Sequence, residues 1–503
     1  AELTAQVLSD LGCDALLFRH PRSTPQLSYA VRHFSAQAGI NITASHNPPA
    51  YNGYKVYFED GGQIVEPHAS NIIARVNSIA GEIHHPVPDS ERGHILPIGD
   101  DFDKLYQQRL LELLIEPNAI QDPHRLKVVF TPLHGVGSAI IPPLLRQIGI
   151  NLSIVELQAR PDGNFSTVAS PNPEEKSALS MAIAQAEAEK ADLVIATDPD
   201  ADRMGAAVRD NSGRLRILNG NQIGSILAWH RISRLFDLGI LNSYNRSRAV
   251  LIKTYVTTEL QKAIADHFGI RCVETLTGFK YIGAKMAKFE NALPEKIRLH
   301  YPNLPLEQAR QTMLEHSTYF VFGGEESYGY SGGDFVRDKD ANAAALMLVE
   351  AALFAQRNGI TLIELLDEIY LRFGFYLERG ESLTLEGADG ARKISHLLSS
   401  YRNNPPRSLA GRSLTSFVDF AKEDIRDSEG DLIPKEPMLF LTLQGHYRVA
   451  IRPSGTEPKI KYYLFGYEKP KFPQQLEETR TRVAQELDKL WNHLREDAEA
   501  RVA

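Results

Sequence analysis

Three aspartates stand at alternate positions in the segment DPDADR, directly after the apolar run ADLVIAT: Asp198, Asp200 and Asp202. In an extended or tightly looped backbone a spacing of two can aim three carboxylates at one point. Hard oxygen donors with an open position suit Mg²⁺, which commonly keeps phosphate or water in its shell. Three negative charges gathered without a cation would repel one another strongly. A solvated acidic turn is the commoner use of a bare Asp-x-Asp, but the strand before it and Arg203 beside it favour a metal site. The glycine and terminal glutamate of an EF-hand loop are missing.

Three further segments hold groups of the same chemical character. In TASHNPPAYNGYK, Ser45 follows the small Ala44 and precedes His46, Asn47 and Pro48. A hydroxyl at a strand end is exposed as a nucleophile or phosphoryl carrier must be, although serine is more often a turn or cap residue. His46 reads as an acid/base or as a turn residue, with the structural role favoured. Lys55 lies ten positions beyond the serine on the strand-like YKVYF and is otherwise an ordinary surface lysine. In GGEESYGY, Glu325 and Ser327 offer acceptors and donors at alternate positions, suited to paired sugar hydroxyls or to a plain polar turn. Lys339, in VRDKDANAA, reads as the start of a helix and could face the same cleft. In RPSGTEPK, Arg452, Ser454, Gly455, Thr456 and Lys459 combine a guanidinium fork, hydroxyls, an ammonium and flexible N–H groups, which fits a phosphate dianion better than a simple hairpin loop. Thr277, Gly278 and Lys280, in TLTGFKYIG, form a weaker group near a strand end.

These segments need a scaffold that brings loops together. Apolar runs AGINIT (38–43), LKVVF (126–130), ADLVIAT (191–197), AVLIKT (249–254) and TYFVFG (318–323) each run into a polar, glycine- or proline-bearing loop, with helical stretches between. Such alternation predicts α/β layers with mixed, largely parallel sheets, whose loops at the C-terminal strand ends carry ligand sites. Breaks near 110, 240 and 372 divide the chain into three α/β domains, 1–110, 111–240 and 241–372, and a fourth, 373–503, with strands YRVAIR and KIKYYLF and a charged helix from about Pro473. The chain opens on a helix over 2–11 and the strand CDALLF, as though in mid-unit, so an earlier segment is expected to be absent or renumbered.

Composition sets limits. The 503 residues are 43% hydrophobic and 23% charged, ordinary for a globular protein with several cores. A net charge of −8 argues mildly against nucleic acid. No apolar run approaches the roughly 18 residues of a membrane span. Two cysteines, Cys13 and Cys272, point to a reducing, cytoplasmic setting rather than a disulfide framework.

In this order the four segments resemble the α-D-phosphohexomutase superfamily, which includes phosphoglucomutases and phosphomannomutases. NGYKVY, PDGNFSTVASPNPEE and RPSGTEPKIKYY are most similar to its phosphoglucomutase-2/phosphopentomutase branch and bacterial phosphoglucomutases. The resemblance implies three similar α/β domains and a C-terminal TATA-binding-protein-like α+β domain around a central cleft. It implies a phosphosugar mutase that interconverts glucose 1-phosphate and glucose 6-phosphate, with Mg²⁺ and with glucose 1,6-bisphosphate as activator and intermediate. Ser45 would carry the phosphoryl group. Asp198, Asp200, Asp202 and the Ser45 phosphate would hold the metal, and Arg203 would steady them. Glu325 and Ser327 would hold sugar hydroxyls, and Arg452, Ser454, Gly455 and Thr456 the non-reacting phosphate. Lys55 matches a proposed general base, although neighbouring carboxylates would raise rather than lower its pKa. Lys280 and Lys339 match cleft lysines. The family's opening segment, with a glycine-rich turn and an arginine, has no counterpart here. Tyr328, Gly329 and Phe279 stand where some members carry histidines, which argues against the phosphomannomutase-like bacterial subgroup. The competing functions are a phosphopentomutase, a glucose 1,6-bisphosphate synthase, a phosphomannomutase, a non-catalytic phosphosugar-binding protein and a plain phosphatase.

Overall fold

β-Branched and aliphatic runs become strands that stop where glycine, proline or aspartate begins a loop. In the computed structural model, which describes residues 1–81, 83–117, 125–385, 389–454 and 459–502, the runs picked out above form strands within a residue or two of their sequence bounds. The first strands are β1 (Ala15–Phe18), β2 (Ala38–Ile42), β3 (Tyr54–Phe58), β4 (Ile95–Ile98), β5 (Lys127–Thr131), β6 (Asn151–Ile154), β7 (Leu193–Thr197), β8 (Met204–Arg209) and β9 (Leu215–Leu218). They continue with β10 (Ala249–Thr254), β11 (Arg271–Thr275), β12 (Tyr319–Gly324) and β13 (Tyr330–Ser331).

Strands β6-β5-β7-β8-β9 make one sheet in that order, parallel where β5 meets β6 and β7, and antiparallel where β8 and β9 extend it. Strand β7 is buried at every position, as a central strand covered on both faces must be. The β10–β13 sheet has the order β11-β10-β12-β13. Nearer the N-terminus, β1 pairs with β4 in parallel, and β2 with β3 as a hairpin whose connection holds Ser45. The sheets are thus mixed, with parallel pairs and antiparallel hairpins in one α/β layering.

The chain divides into two compact units. The first comprises Ala1–Ile252, Gly269–Arg271 and Gly278–Ile363. Its most buried helix, Ala341–Arg357, starts two residues after Lys339, because the Asp340 side chain accepts the N–H groups of Asn342 and Ala343 and caps it. The second comprises Lys253–Phe268, Cys272–Thr277 and Glu364–Ala503. Its strands β14 (Phe375–Thr384), β15 (Ser408–Leu409), β16 (Arg412–Asp419), β17 (Leu439–Leu443), β18 (Tyr447–Pro453) and β19 (Lys459–Glu468) form one antiparallel sheet, ordered β14-β19-β18-β17-β16-β15. The helix Leu476–Val502 buries Val483, Leu487, Leu490, Leu494 and Ala498, the three-and-four spacing of an amphipathic stripe, against this sheet. Its many charges lie on the other face, as a solvated helix requires.

Lys253 anchors the second unit's N-terminal segment. Its ammonium is wholly buried, with Glu259 and Glu274 each at 2.8 Å. Burial opposes the charge, but the two carboxylates outweigh it and hold the ammonium above its ordinary range. No single helix among the described residues is long and apolar enough to cross a membrane. Both cysteines are free, Cys13 exposed and Cys272 buried.

Candidate active site

The DPDADR loop leaves the buried end of β7 and turns back at once into β8, so its three aspartates are confined to one tight turn. Asp198 Oδ1 accepts the N–H groups of Asp202 and Arg203 at 3.0 and 2.9 Å. Neighbouring segments pin the turn from outside. Thr24 N–H donates to the Asp200 carbonyl at 2.9 Å, and Met204 N–H to the Tyr328 carbonyl at 3.0 Å. The TPLHGVGS loop packs flat against it: Val136 N–H donates to the Pro199 carbonyl at 2.9 Å, and a Cβ at Gly135 would meet Pro199 backbone at 2.3 Å. Only glycine permits that approach.

Ser45 is held at the edge of this turn. Its φ of 52° lies in the left-handed region, uncommon for a residue with a Cβ and frequent at sites of function. Its N–H donates to Thr43 Oγ1 at 2.9 Å, and its hydroxyl donates to Asp198 Oδ2 at 2.8 Å. His46 Nδ1 lies 3.2 Å from the same hydroxyl. Burial, helped by Arg203, lowers the His46 pKa to about 4, so the imidazole is neutral near pH 7.

Cations surround the carboxylates. Lys55 Nζ lies 3.0 Å from Asp200 Oδ2 and 3.2 Å from Asp202 Oδ2, and Lys339 Nζ lies 3.1 Å from Asp202 Oδ2. Arg203 pairs with Glu174. Burial works against both ammonium charges, but Asp200 and Asp202 raise Lys55 well above its ordinary range, and Asp202 and Asp338 raise Lys339. In return, Lys339, Lys55 and Arg203 overcome burial and hold Asp202 well below the usual carboxylate range. Asp198, without an ammonium of its own, is pushed well up by burial and by the charges of Asp202 and Asp200.

The donor set fits a hard dication. One ligand oxygen from each aspartate lies within 4.8 Å of the others. Asp200 Oδ1 and Asp202 Oδ1 are buried and have no hydrogen-bond partner, which is costly for carboxylate oxygens unless something positive meets them. An all-oxygen set of this kind matches Mg²⁺ rather than Zn²⁺.

A second group of residues lies beside the first. Glu325 is buried, and its Oε1 accepts the Gly278 N–H at 2.8 Å. Burial raises its pKa, against Lys339 and the Gly278 N–H. Ser327 is half-buried in the same turn. Lys280 sits in the first turn of the helix Phe279–Asn291, its ammonium 5.1 Å from the Tyr281 ring centroid.

The structure therefore brings together Ser45, His46, Lys55, Asp198, Asp200, Asp202, Arg203, Gly278, Glu325 and Lys339 within the first unit. Thr277, Arg452, Ser454 and Lys459 belong to the second unit. There Arg452, at the end of β18, pairs with Glu436 at 2.8 Å, and Ser454 N–H donates to the Lys459 carbonyl at 2.8 Å. Gly455 and Thr456 lie outside the described residues. Sequence reasoning missed Thr24 and Thr43, whose hydroxyls donate to Asp200 Oδ2 at 2.8 and 3.3 Å, and Glu174, the partner of Arg203. Thr43 stood two residues from Ser45 in the same loop, and Glu174 lay in the PNPEE segment, so both were in view. Thr24 carried no local signal.

Comparison with known proteins adds to this geometry. Family models described as phosphoglucomutase/phosphomannomutase alpha/beta/alpha domains I, II and III match residues 1–82, 104–213, and 219–294 with 308–373. A phosphoglucomutase of Staphylococcus aureus strain MRSA252 is 35% identical over 477 residues, covering 92% of this chain and 79% of the relative. The phosphoglucomutase of strain N315 is 34% identical over 476 residues, with the same coverage. Among solved structures, a putative phosphomannomutase from Thermus thermophilus matches 98% of this chain and 85% of its own, with a TM-score of 0.65 at 21% identity. The open form of pp63/parafusin, a phosphoglucomutase from Paramecium, matches 94% and 81%, with a TM-score of 0.64 at 18% identity. These two show the fold.

Proposed function

The chain belongs to the phosphoglucomutase/phosphomannomutase family of the α-D-phosphohexomutase superfamily, and from that premise we propose that its preferred reaction interconverts glucose 1-phosphate and glucose 6-phosphate. The protein is an isomerase, a phosphosugar mutase that works through a phosphoserine. The glucose preference is supported by the two Staphylococcus aureus phosphoglucomutases, each matched over 79% of its length. The observation that carries the mechanism is the Ser45 hydroxyl, 2.8 Å from one aspartate of a triad that has two unpartnered buried oxygens.

Phosphorylated Ser45 transfers its phosphoryl group to the free hydroxyl of the sugar phosphate. The Ser45 O–P bond breaks and a sugar O–P bond forms, and in net terms the sugar hydroxyl proton ends on the departing Ser45 oxygen, which becomes the free serine hydroxyl. The bisphosphate turns over, and its other phosphoryl group returns to Ser45. Asp198, Asp200, Asp202 and the Ser45 phosphate would hold Mg²⁺, which would supply neutralisation of charge on the transferring oxygens. Lys55 and Lys339 stay protonated, so their part is to offset charge and to donate hydrogen bonds; Lys55 is poorly suited to take a proton as a general base. Neutral His46 steadies the serine loop. Glu325, with Ser327, accepts hydrogen bonds from sugar hydroxyls; Gly278, whose N–H meets Glu325, binds the substrate too, with Thr277 and Lys280. Arg452, Ser454, Gly455, Thr456 and Lys459 grip the distant phosphate, and that binding orients the reacting end. Two unpaired thiols and the sugar phosphate substrate fit a cytoplasmic enzyme.

The test is conversion of glucose 1-phosphate with Mg²⁺ and a trace of glucose 1,6-bisphosphate, beside mannose 1-phosphate, ribose 1-phosphate and a free-phosphate assay. Fastest conversion of the glucose ester without phosphate release is expected. A higher rate with ribose or mannose would reassign the substrate, and steady phosphate release would make the protein a phosphatase.

A further inference from the structure

Strand β3 turns two side chains to one face, Lys55 and Tyr57, because alternate residues of a strand point the same way. Lys55 reaches the aspartates itself. Tyr57 is wholly buried and does not: its hydroxyl donates to Asp338 Oδ2 at 2.7 Å. The other oxygen of Asp338 accepts the N–H of Lys339 at 2.8 Å. One residue further, Asp340 Oδ2 accepts the hydroxyl of Tyr106, also wholly buried, at 2.5 Å. On the other side, the Arg337 N–H donates to Ser28 Oγ at 2.9 Å, and its guanidinium shares Glu290 with Arg32.

The segment Arg337–Asp340 is thus tied at each end and in its middle to groups from residues 28–106. Lys339 is the one side chain of the four that meets the triad, with Nζ 3.1 Å from Asp202 Oδ2. Its stem fills the space above Gly329, where a Cβ would lie 2.4 Å from Lys339 Cδ. A lysine has many rotamers, and a fixed ammonium needs a fixed backbone beneath it. Burial and the charge of Asp338 push the Tyr57 phenol well up, so it stays an O–H donor.

We propose that Tyr57 and Tyr106 are positioning residues that act through Asp338 and Asp340 to hold the Lys339 ammonium against the aspartate triad. The serine-bearing part of the chain thereby sets a charge that faces the aspartate triad. This rests on the mutase reading for its kinetic consequence, and on the contacts alone for the placement of Lys339.

The experiment compares wild type with Tyr57→Phe, Lys339→Met and the double variant, with Tyr106→Phe as a second probe and thermal unfolding as a check on folding. Tyr57→Phe should lower kcat on the order of tenfold, because small misplacement of a catalytic charge is costly, with KM nearly unchanged. In the Lys339→Met background the same change should matter by less than about twofold, since the two act as one unit. Amine labelling read by mass spectrometry should show Lys339 modified severalfold faster in Tyr57→Phe, with Lys55 unaffected. Equal losses of kcat in both backgrounds, or labelling of Lys339 unchanged in both tyrosine variants, would overturn the proposal. If wild type lacks mutase activity while the labelling still responds, the positioning stands and the mutase reading falls.

Discussion

Asp202→Asn removes one negative charge and keeps the side chain's shape. Its Oδ2 faces Lys339 at 3.1 Å and Lys55 at 3.2 Å, while its Oδ1 is buried without a partner. At an effective dielectric near 20, each ammonium is attracted by about 5 kcal/mol before desolvation is counted. Breaking a buried pair by removing one partner costs about 3–5 kcal/mol net. Lys55 keeps Asp200 at 3.0 Å. A loss near the lower end, about 3 kcal/mol, is therefore expected for the metal-free protein. The metal should suffer separately. Loss of an outer partner of a ligand lowers metal affinity about 10–100-fold, so loss of an inner carboxylate should exceed about 100-fold. Thermal unfolding with and without Mg²⁺ reads both effects, since a ligand that binds only the folded state raises stability with its concentration. Wild type should be stabilised by Mg²⁺; the variant should start lower and respond only at far higher concentration, and its mutase rate should collapse. An Asp202→Asn protein that binds Mg²⁺ within about threefold of wild type would refute the triad as a metal site.

Other outcomes follow from groups in the second unit. Lys253→Met leaves the half-buried Glu274 without its ammonium, while Glu259 keeps Arg448 at 3.0 Å; a loss of about 1–3 kcal/mol in denaturant unfolding is expected, and no measurable loss would contradict the pairing. Burial raises the Glu378 carboxyl to about 7, against the Thr258 hydroxyl, Arg448 and Lys253 and with Glu259. The folded state then binds the extra proton, so stability from this group is present below the unfolded value and is lost as pH rises through about 7. Glu378→Gln should accordingly stabilise at about pH 8 and change little at about pH 5, as pH-dependent melts would show. Glu436 lies 2.8 Å from Arg452 Nε, where it would compete with a phosphate dianion for the guanidinium under the proposed role of Arg452. Glu436→Gln should lower KM for the sugar phosphate, by about 2- to 10-fold for the loss of one partly exposed charge contact; a raised KM would show instead that the glutamate orients the arginine.

What could be read before folding was whatever lies within one loop or one element. The three aspartates, Ser45 and the GEES turn each sit in a run of adjacent residues, and strand bounds followed from where apolar runs met glycine and proline. Partners joined only by tertiary folding gave no sign. Thr24 meets Asp200 across 176 positions, and Tyr57 meets Asp338 across 281. Lys339 was read as the first residue of a helix, yet Asp340, a capping residue visible in DANAA, places the start at Ala341. The grouping into two compact units, with Lys253–Phe268 joined to the C-terminal sheet, depends on the buried Lys253 cluster and on Arg448, which meets Glu259 from far along the chain. The Lys55 and Lys339 charges were each readable as ordinary surface lysines until the fold placed both on Asp202.

The most direct measurement is the intact mass of the protein and of its Ser45 peptide during turnover. After exposure to glucose 1,6-bisphosphate with Mg²⁺, one phosphoryl group should be found on Ser45. Glucose 1-phosphate should discharge it, with glucose 6-phosphate formed and no free phosphate. Ser45→Ala should neither take up the group nor convert the sugar. Conversion that persists in Ser45→Ala, or a phosphoryl group found elsewhere and turned over at the catalytic rate, would contradict the serine's role as carrier.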